Sequence, residues 1–291
     1  MANDLPLEDE EEDFSQKLVV YSLPHMDEAI EQKDIVYKTV NSDDLLMDVY
    51  YPSDYEGETR LPAVIFVHGD GPEAFLGNIK DSGQYVSWGQ LAAASGLIGI
   101  TFHHRSTHQL TRLYEVAKDV DDAVYYVRDN HKSLGVNADK LCIWTCSAGS
   151  PFGLRTALHE NASYIRCIVS YYGIADIATY YENGDETIGE VGRPLPSLTQ
   201  EVLDEFSAAA RISKLQSSIP PMLIVRAGLD DAAINRSIDR LVTATIAKNV
   251  SLDFLNHATG HHAFDILDDN VRSREIIQTT LDFMKIHLVE E

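Results

Sequence analysis

A serine with small neighbours follows directly on an apolar run of the chain. Residues 140–146 have the composition of a short buried strand, and Ser147 comes next in a small-x-Ser-x-Gly turn. A nucleophilic serine held at a sharp strand-to-helix turn needs small residues two positions before and after it, because the two backbones approach closely there. Thr145 and Gly149 occupy these positions. Ser147 is therefore the candidate nucleophile, with β-branched Thr145 at the upper size limit.

Cys146 is the alternative nucleophile in the same turn. Its flanking small positions would be Trp144 and Ala148. A tryptophan side chain does not fit in such a corner, so the pattern favours Ser147. Loops and helix starts also match small-x-Ser-x-Gly by chance, and the hypothesis needs support from the rest of the chain.

A catalytic serine also needs a histidine that accepts its proton and a carboxylate that orients the histidine. Asp230 and Asp231 follow the strand-like run 221–228, and His261 and His262 follow the next such run at 250–256. The chain order of serine, acid and histidine is one in which such triads occur.

Each position of this triad has two adjacent candidates. Asp230 is favoured over Asp231 because it comes first after its strand, and the Gly-x-His-x-Phe spacing favours His262 over His261. Both choices stay open, since an acidic pair can cap the following helix and a histidine pair can lie on a surface loop. The appearance of both pairs after consecutive late strands supports a triad with Ser147.

The attacked carbonyl oxygen becomes negatively charged, and backbone N–H groups can stabilise it. The N–H of Ala148 follows the nucleophile and lies at the positive end of the next helix. We expect the other donors at Asp70 and Gly71, in the glycine-containing loop after the apolar run 62–69. The Asp70 carboxylate would be unfavourable beside an oxyanion unless its side chain points away.

The elements around these residues alternate in type. The β-rich runs 34–40 and 45–52 flank a turn cluster and predict an antiparallel hairpin, and the apolar run 62–69 starts a parallel sheet. Alternation then predicts right-handed crossovers and a doubly wound sheet. The predicted strands are 97–103, 140–146, 165–172, 221–227 and 250–256, and the predicted helices are 86–94, 114–130, 148–159, 235–248 and 271–288.

Regularity fails between residues 174 and 218, where only one helix, near 199–210, is predicted. This insertion follows the carboxyl end of a strand, where ligand sites of open α/β sheets lie, and we expect either a short lid or a surface excursion. In the helix 114–130, four valines at helical spacing predict a core-facing stripe: Val116, Val120, Val124 and Val127.

Composition limits the partners of the chain. Its 291 residues carry 46 acidic and 23 basic side chains, a net charge of -23, which repels nucleic acid and anionic membrane surfaces. An acidic segment at 1–30 is predicted to be mobile, followed by one domain at 31–291. The three cysteines are an odd number, and no signal peptide or 18-residue apolar stretch is present, so we expect a soluble cytoplasmic protein.

Two further groups of side chains are candidates for ligand contacts. His103, His104 and His108 lie at a strand end, but no carboxylate or cysteine set accompanies them, and we expect no metal. Among the aromatic residues, Tyr172 at the end of a predicted strand is the candidate for a substrate contact.

With these motifs the chain resembles α/β-hydrolases of the dienelactone-hydrolase-like or carboxylesterase type, over residues 35–288. The shared features are the His-Gly loop at His68, the Ser147 elbow, the Ala-Gly-x-Asp segment and the Gly-x-His-Ala-Phe segment that ends at Phe264. The resemblance implies an α/β-hydrolase fold and hydrolysis of a small-molecule ester through an acyl-enzyme, without a cofactor.

Other functions fit the same residues. A thioesterase, a lactone hydrolase or a serine peptidase uses the same machinery on another acyl donor. A non-catalytic binding protein that keeps the fold is a further alternative, motivated by Thr145 and Asp70. The sequence leaves both a monomer and a homodimer open.

Overall fold

Eight strands form one mixed sheet. The computed structural model describes residues 14–71, 76–183 and 197–289. The strand order is β1-β2-β4-β3-β5-β6-β7-β8, with β1, β2 and β4 paired antiparallel and all later neighbours parallel. The strands are β1 Ile30–Val40, β2 Asp43–Tyr51, β3 Leu61–Val67, β4 Ile98–Phe102, β5 Val136–Cys146, β6 Ile165–Tyr171, β7 Met222–Ala227 and β8 Leu252–His257.

The predicted N-terminal hairpin is confirmed. Val40 of β1 is the register partner of Asp43 of β2, so only Asn41 and Ser42 form the loop. Both have positive φ angles, of 51° and 76°. Two left-handed residues in a two-residue loop match the twist of the strands they connect, and asparagine tolerates this conformation well.

Helices cover both faces of the sheet, as a doubly wound arrangement requires. Along β3, Ala63 and Ile65 belong to one core and Val64 and Phe66 to the other, because successive side chains of a strand point to opposite faces. The predicted valine stripe packs into the first core, and all four valines are fully buried. The described helices are Gly83–Ala94, Leu113–Asp129, Ser150–Ala157, Ile177–Asn183, Gln200–Glu205, Ala208–Lys214, Ala232–Ala247, Phe264–Leu267 and Val271–Leu288.

The insertion between β6 and β7 differs from the prediction. The single helix near 199–210 is wrong, since two short helices, Gln200–Glu205 and Ala208–Lys214, lie there. Ser207 separates them with extended backbone angles, and it forms an isolated bridge with Asp176. Residues 184–196 of the proposed lid lie outside the described residues.

The segment before the hairpin contacts the domain. Residues 1–13, which include the whole acidic run from Glu8 to Asp13, lie outside the described residues. Val19 is buried, its N–H donates to Ser87 Oγ at 3.0 Å, and the N–H of Val20 donates to the Asp265 carbonyl at 2.8 Å. The packed part of the chain therefore begins before residue 31, where the domain boundary was predicted.

Candidate active site

Ser147 lies at the turn between β5 and the helix Ser150–Ala157. Its φ angle is 48°, in the left-handed region that costs free energy for a residue with a Cβ atom. A Cβ atom on Gly149 would lie 2.0 Å from the carbonyl oxygen of His68. The small residue two positions after Ser147 is therefore required by the neighbouring β3 loop, as the sequence pattern predicts.

Thr145, two positions before Ser147, is accommodated by a residue outside the motif. Its side chain is fully buried, and a Cβ atom on Gly153 would lie 2.9 Å from the Thr145 Cβ and 3.0 Å from its Oγ1. The usual motif makes room at this corner with a glycine at position 145. Here the strand carries Thr145, and the helix makes room for it with Gly153. Sequence reasoning did not identify this pairing.

Cys146, the alternative nucleophile, is enclosed behind the turn. It is buried, and its Sγ lies 3.2 Å from the hydroxyl of Tyr85. Burial raises the pKa of the Cys146 thiol to about 12. Because the thiolate is the reactive form of cysteine, this side chain is unreactive at neutral pH.

A continuous chain of contacts connects a serine, a histidine and an acid. Ser147 Oγ lies 2.9 Å from His262 Nε2, and His262 Nδ1 lies 2.7 Å from Asp230 Oδ2. The Asp230 side chain is 4% exposed, whereas that of His262 is 39% exposed. An imidazole can exchange a proton with a bound molecule when it is accessible and when a shielded carboxylate holds it in place.

The two adjacent candidates have other partners. Asp231 Oδ1 accepts the N–H of Ala233 at 2.6 Å and so caps the helix Ala232–Ala247. The His261 ring lies 3.0 Å from Asp268 and is well exposed. Of the four side chains, the structure brings only Asp230 and His262 to the serine.

The loop after β3 passes beside the serine. A Cβ atom on Gly69 would lie 3.3 Å from the Ser147 Cβ, so a side chain here would crowd the serine. Asp70 and Gly71 follow directly. The Asp70 carboxylate accepts hydrogen bonds from the N–H and the hydroxyl of Thr107. These bonds meet the condition, set out from the sequence, that the Asp70 side chain be directed elsewhere.

Tyr172 lies in contact with the histidine, not at an accessible surface. Its ring centroid is 4.8 Å from that of His262, and the residue is 1% exposed with a φ angle of 35°. Its hydroxyl donates to Asp265 Oδ1 at 2.6 Å. The expected substrate contact is not compatible with this burial, and the geometry instead makes Tyr172 a support for the imidazole.

Asp265 is a buried acid that the sequence did not single out. It is fully buried and accepts hydrogen bonds from Gln84, Trp88 and Tyr172 at 2.6–2.9 Å. Burial raises the pKa of Asp265, and the three donors oppose that shift. The only sequence signal was its position three residues after His262, in the one-turn helix Phe264–Leu267.

Of the three histidines after β4, His104 stacks on His68, which follows β3. The His104 ring lies 3.6 Å from that of His68 with an interplanar angle of 12°. Burial lowers the pKa of His68 well below its usual value, and the charge of His104 acts in the same direction. Within residues 14–71, 76–183 and 197–289, no group of three or more His, Cys, Asp or Glu side chains is arranged to hold a metal ion.

Comparison with known proteins identifies the family. The BD-FAE family model matches residues 47–242, more than half of the chain, and the chain belongs to this family. The fold is that of the α/β-hydrolases. No curated protein gives a significant sequence match.

Solved esterase structures superpose on most of the chain. Esterase 2 of Thermogutta terrifontis, phosphorylated by paraoxon, is 18% identical with a TM-score of 0.65, covering 92% of this chain and 95% of that one. The Pyrobaculum calidifontis esterase is 21% identical with a TM-score of 0.68, covering 88% and 85%. Esterase B of Lactobacillus rhamnosis is 14% identical with a TM-score of 0.68, covering 91% and 89%. At these identities the likeness establishes the fold.

Proposed function

We propose that this protein is a serine hydrolase that cleaves small carboxylic esters through an acyl-enzyme. The observation that carries the proposal is the contact chain from Ser147 through His262 to Asp230, with distances of 2.9 and 2.7 Å. These are hydrogen-bond distances between a nucleophile, a base and an acid that orients the base. The family and the esterase fold support the same reaction class.

In the first half of the reaction, His262 Nε2 accepts the Ser147 proton while Oγ attacks the ester carbonyl carbon. The N–H groups of Ala148, Asp70 and Gly71 stabilise the resulting oxyanion. His262 then donates the proton to the alcohol oxygen as the carbon–oxygen bond breaks, leaving an acylated Ser147. Water repeats these steps with His262 as base and releases the acid.

The first test is hydrolysis of short p-nitrophenyl esters by the parent and by Ser147→Ala. We expect the substitution to abolish turnover above the background rate, because the acyl-enzyme cannot form. Labelling with a fluorophosphonate should also require Ser147. Equal hydrolysis by both proteins would refute the assignment.

The adjacent acids and histidines provide matched controls. Asp230→Asn and His262→Ala should each lower kcat by several orders of magnitude, whereas Asp231→Asn and His261→Ala should retain it. The reason is that Asp231 caps a helix and His261 pairs with Asp268. Loss of turnover in the control variants alone would reassign the triad.

The same triad can act on other acyl donors, and the substrate pocket decides which of them is cleaved. Thioesters, lactones and peptides can be tested in the same assay with the Ser147→Ala control.

The non-catalytic alternative has less support, since the two features that motivated it have local explanations: Gly153 accommodates Thr145, and Thr107 binds the Asp70 carboxylate. None of the described helices has the length and apolar character needed to cross a bilayer.

A further inference from the structure

The loop that carries the proposed oxyanion donors is held by a second loop. We define residues 68–71 as the oxyanion loop and residues 104–107, after β4, as the supporting loop. The backbone N–H of His104 donates to His68 Nε2 at 3.0 Å, and His104 Nε2 donates to the His68 carbonyl at 3.0 Å. The start of the oxyanion loop is thereby fixed by two hydrogen bonds and a ring stack.

Ser106 and Thr107 hold the end of the oxyanion loop. Ser106 Oγ donates to the Gly71 carbonyl at 2.7 Å. The N–H of Thr107 donates to Asp70 Oδ1 at 3.2 Å, and its hydroxyl donates to Asp70 Oδ2. Ser106 and Thr107 are 4% and 1% exposed, so water competes little for these bonds.

The supporting loop is itself tied to a core helix. Arg105 donates to Asp119 at 2.8 Å through Nε and to Glu115 at 3.0 Å through Nη1. Both acids belong to the helix Leu113–Asp129, and the Asp119 side chain is fully buried. The oxyanion loop is therefore connected through the supporting loop to the rigid interior of the domain.

We propose that Thr107 and Ser106 are positioning residues for ester hydrolysis, acting through Asp70 and Gly71; this inference rests on the proposed function. Oxyanion donors are effective only when they are held in place before the charge develops. The Thr107 hydroxyl has a second effect, because it keeps the Asp70 carboxylate away from that charge. Both effects operate in the transition state and leave substrate binding almost unchanged.

The test compares Thr107→Val with Thr107→Ser. Valine keeps the shape and the backbone donor but removes the hydroxyl, and we expect kcat for p-nitrophenyl acetate to fall about tenfold at nearly constant KM, a fraction of the effect of losing a donor itself. Serine keeps the hydroxyl and should retain kcat within about twofold. Thr243→Val is the matched control, since that hydroxyl bonds only its own helix through the Asp239 carbonyl.

A double substitution isolates the path. In an Asp70→Ala background, Thr107→Val should lose most of its effect on kcat, because the partner carboxylate is gone and only the bond from the Leu110 N–H to the Thr107 hydroxyl, at 3.1 Å, is still removed. If Thr107→Val lowers kcat as much in the Asp70→Ala background as in the parent, Thr107 does not act through Asp70 and the proposal is overturned. Equal kcat for Thr107→Val and the parent would overturn the role of Thr107 while leaving the proposed function intact.

Ser106→Ala keeps the proposal testable if Thr107→Val does not fold. It removes the bond to the Gly71 carbonyl, and the same loss of kcat at constant KM is expected. Ser133→Ala is its control, since Ser133 is exposed and bonds the Asn130 carbonyl. Unchanged kcat in Ser106→Ala would contradict the proposal. Equal turnover by the parent and Ser147→Ala would instead overturn the proposed function, and the positioning role with it.

Discussion

The contact between Thr145 and Gly153 predicts that the two positions are energetically coupled. An alanine Cβ at position 153 would lie 2.9 Å from the Thr145 Cβ, 3.0 Å from its Oγ1 and 3.3 Å from Ile143 Cγ2. Carbon atoms pack favourably at about 3.5–4.0 Å. The Gly153→Ala substitution therefore forces the strand and the helix apart where they meet below Ser147.

The expected free energy follows from two opposing effects. Overpacking a tight core costs about 1–3 kcal/mol. Alanine in place of glycine inside the helix gains about 1 kcal/mol. We therefore expect Gly153→Ala to lower the free energy of unfolding by about 1 kcal/mol in the parent.

In the Thr145→Gly background, Gly153→Ala should change the free energy of unfolding in the opposite direction. Thr145→Gly removes the two shortest contacts and leaves only the methyl group of Ile143, which needs to move by a few tenths of an ångström. Gly153→Ala should then raise the free energy of unfolding by about 1 kcal/mol, since the helix gain remains. The double-mutant cycle should give a coupling of about 2 kcal/mol.

Urea unfolding followed by tryptophan fluorescence measures all four proteins, because Trp88 and Trp144 are buried near this corner and Trp144 is adjacent to Thr145. The midpoints are comparable provided that the slopes agree. An equal effect of Gly153→Ala in both backgrounds would refute the claim that Thr145 occupies the space that Gly153 leaves.

Three further outcomes are expected. Asp231→Ala should lower the free energy of unfolding by about 1 kcal/mol through loss of the cap on Ala233 while ester turnover persists, which urea unfolding and an activity assay check together. Burial lowers the pKa of His103 to about 4, so the unfolded chain takes up a proton that the folded chain does not as pH falls from about 6.5 to about 4. This contribution to the free energy of unfolding is fully present above that pH range and is lost as the pH falls through it. In His103→Gln the midpoint of urea unfolding should therefore depend less on pH between about 6.5 and about 4. Tyr172→Phe keeps the ring against the imidazole but removes a donor to buried Asp265, and we expect a loss of about 1–3 kcal/mol in urea unfolding with KM unchanged.

Much of the fold could be predicted because hydrophobic patterning controls it. The helix Val271–Leu288 has the predicted bounds, and the β1–β2 hairpin forms at the predicted turn cluster. The insertion could not be predicted in the same way. Ser207 breaks the expected helix through a bridge to Asp176, which is 31 residues earlier in the chain and is not visible in local sequence preferences.

The site shows the same division between local and long-range information. Chain order and spacing favoured Ser147, Asp230 and His262 but left Asp231 and His261 open, and in the structure the first three side chains are in contact. Tyr172 was expected to contact substrate, but it is buried and donates to Asp265, 93 residues further along the chain, a contact that the local sequence does not reveal. A motif reports which residues share a turn, but the elements that enclose a side chain depend on tertiary packing.

The two departures from the expected motif therefore have different physical consequences. Thr145 packs against Gly153 where the strand meets the helix, and this contact affects the free energy of unfolding. Asp70 binds Thr107 in the loop beside Ser147, and this contact should affect the rate of the proposed reaction because it directs the carboxylate charge. The Gly153 contact should thus be measured through the free energy of unfolding, and the Thr107 contact through kcat in protein that remains folded. Because each partner lies outside the motif, a departure at an elbow or oxyanion position indicates loss of function only when such a partner is absent.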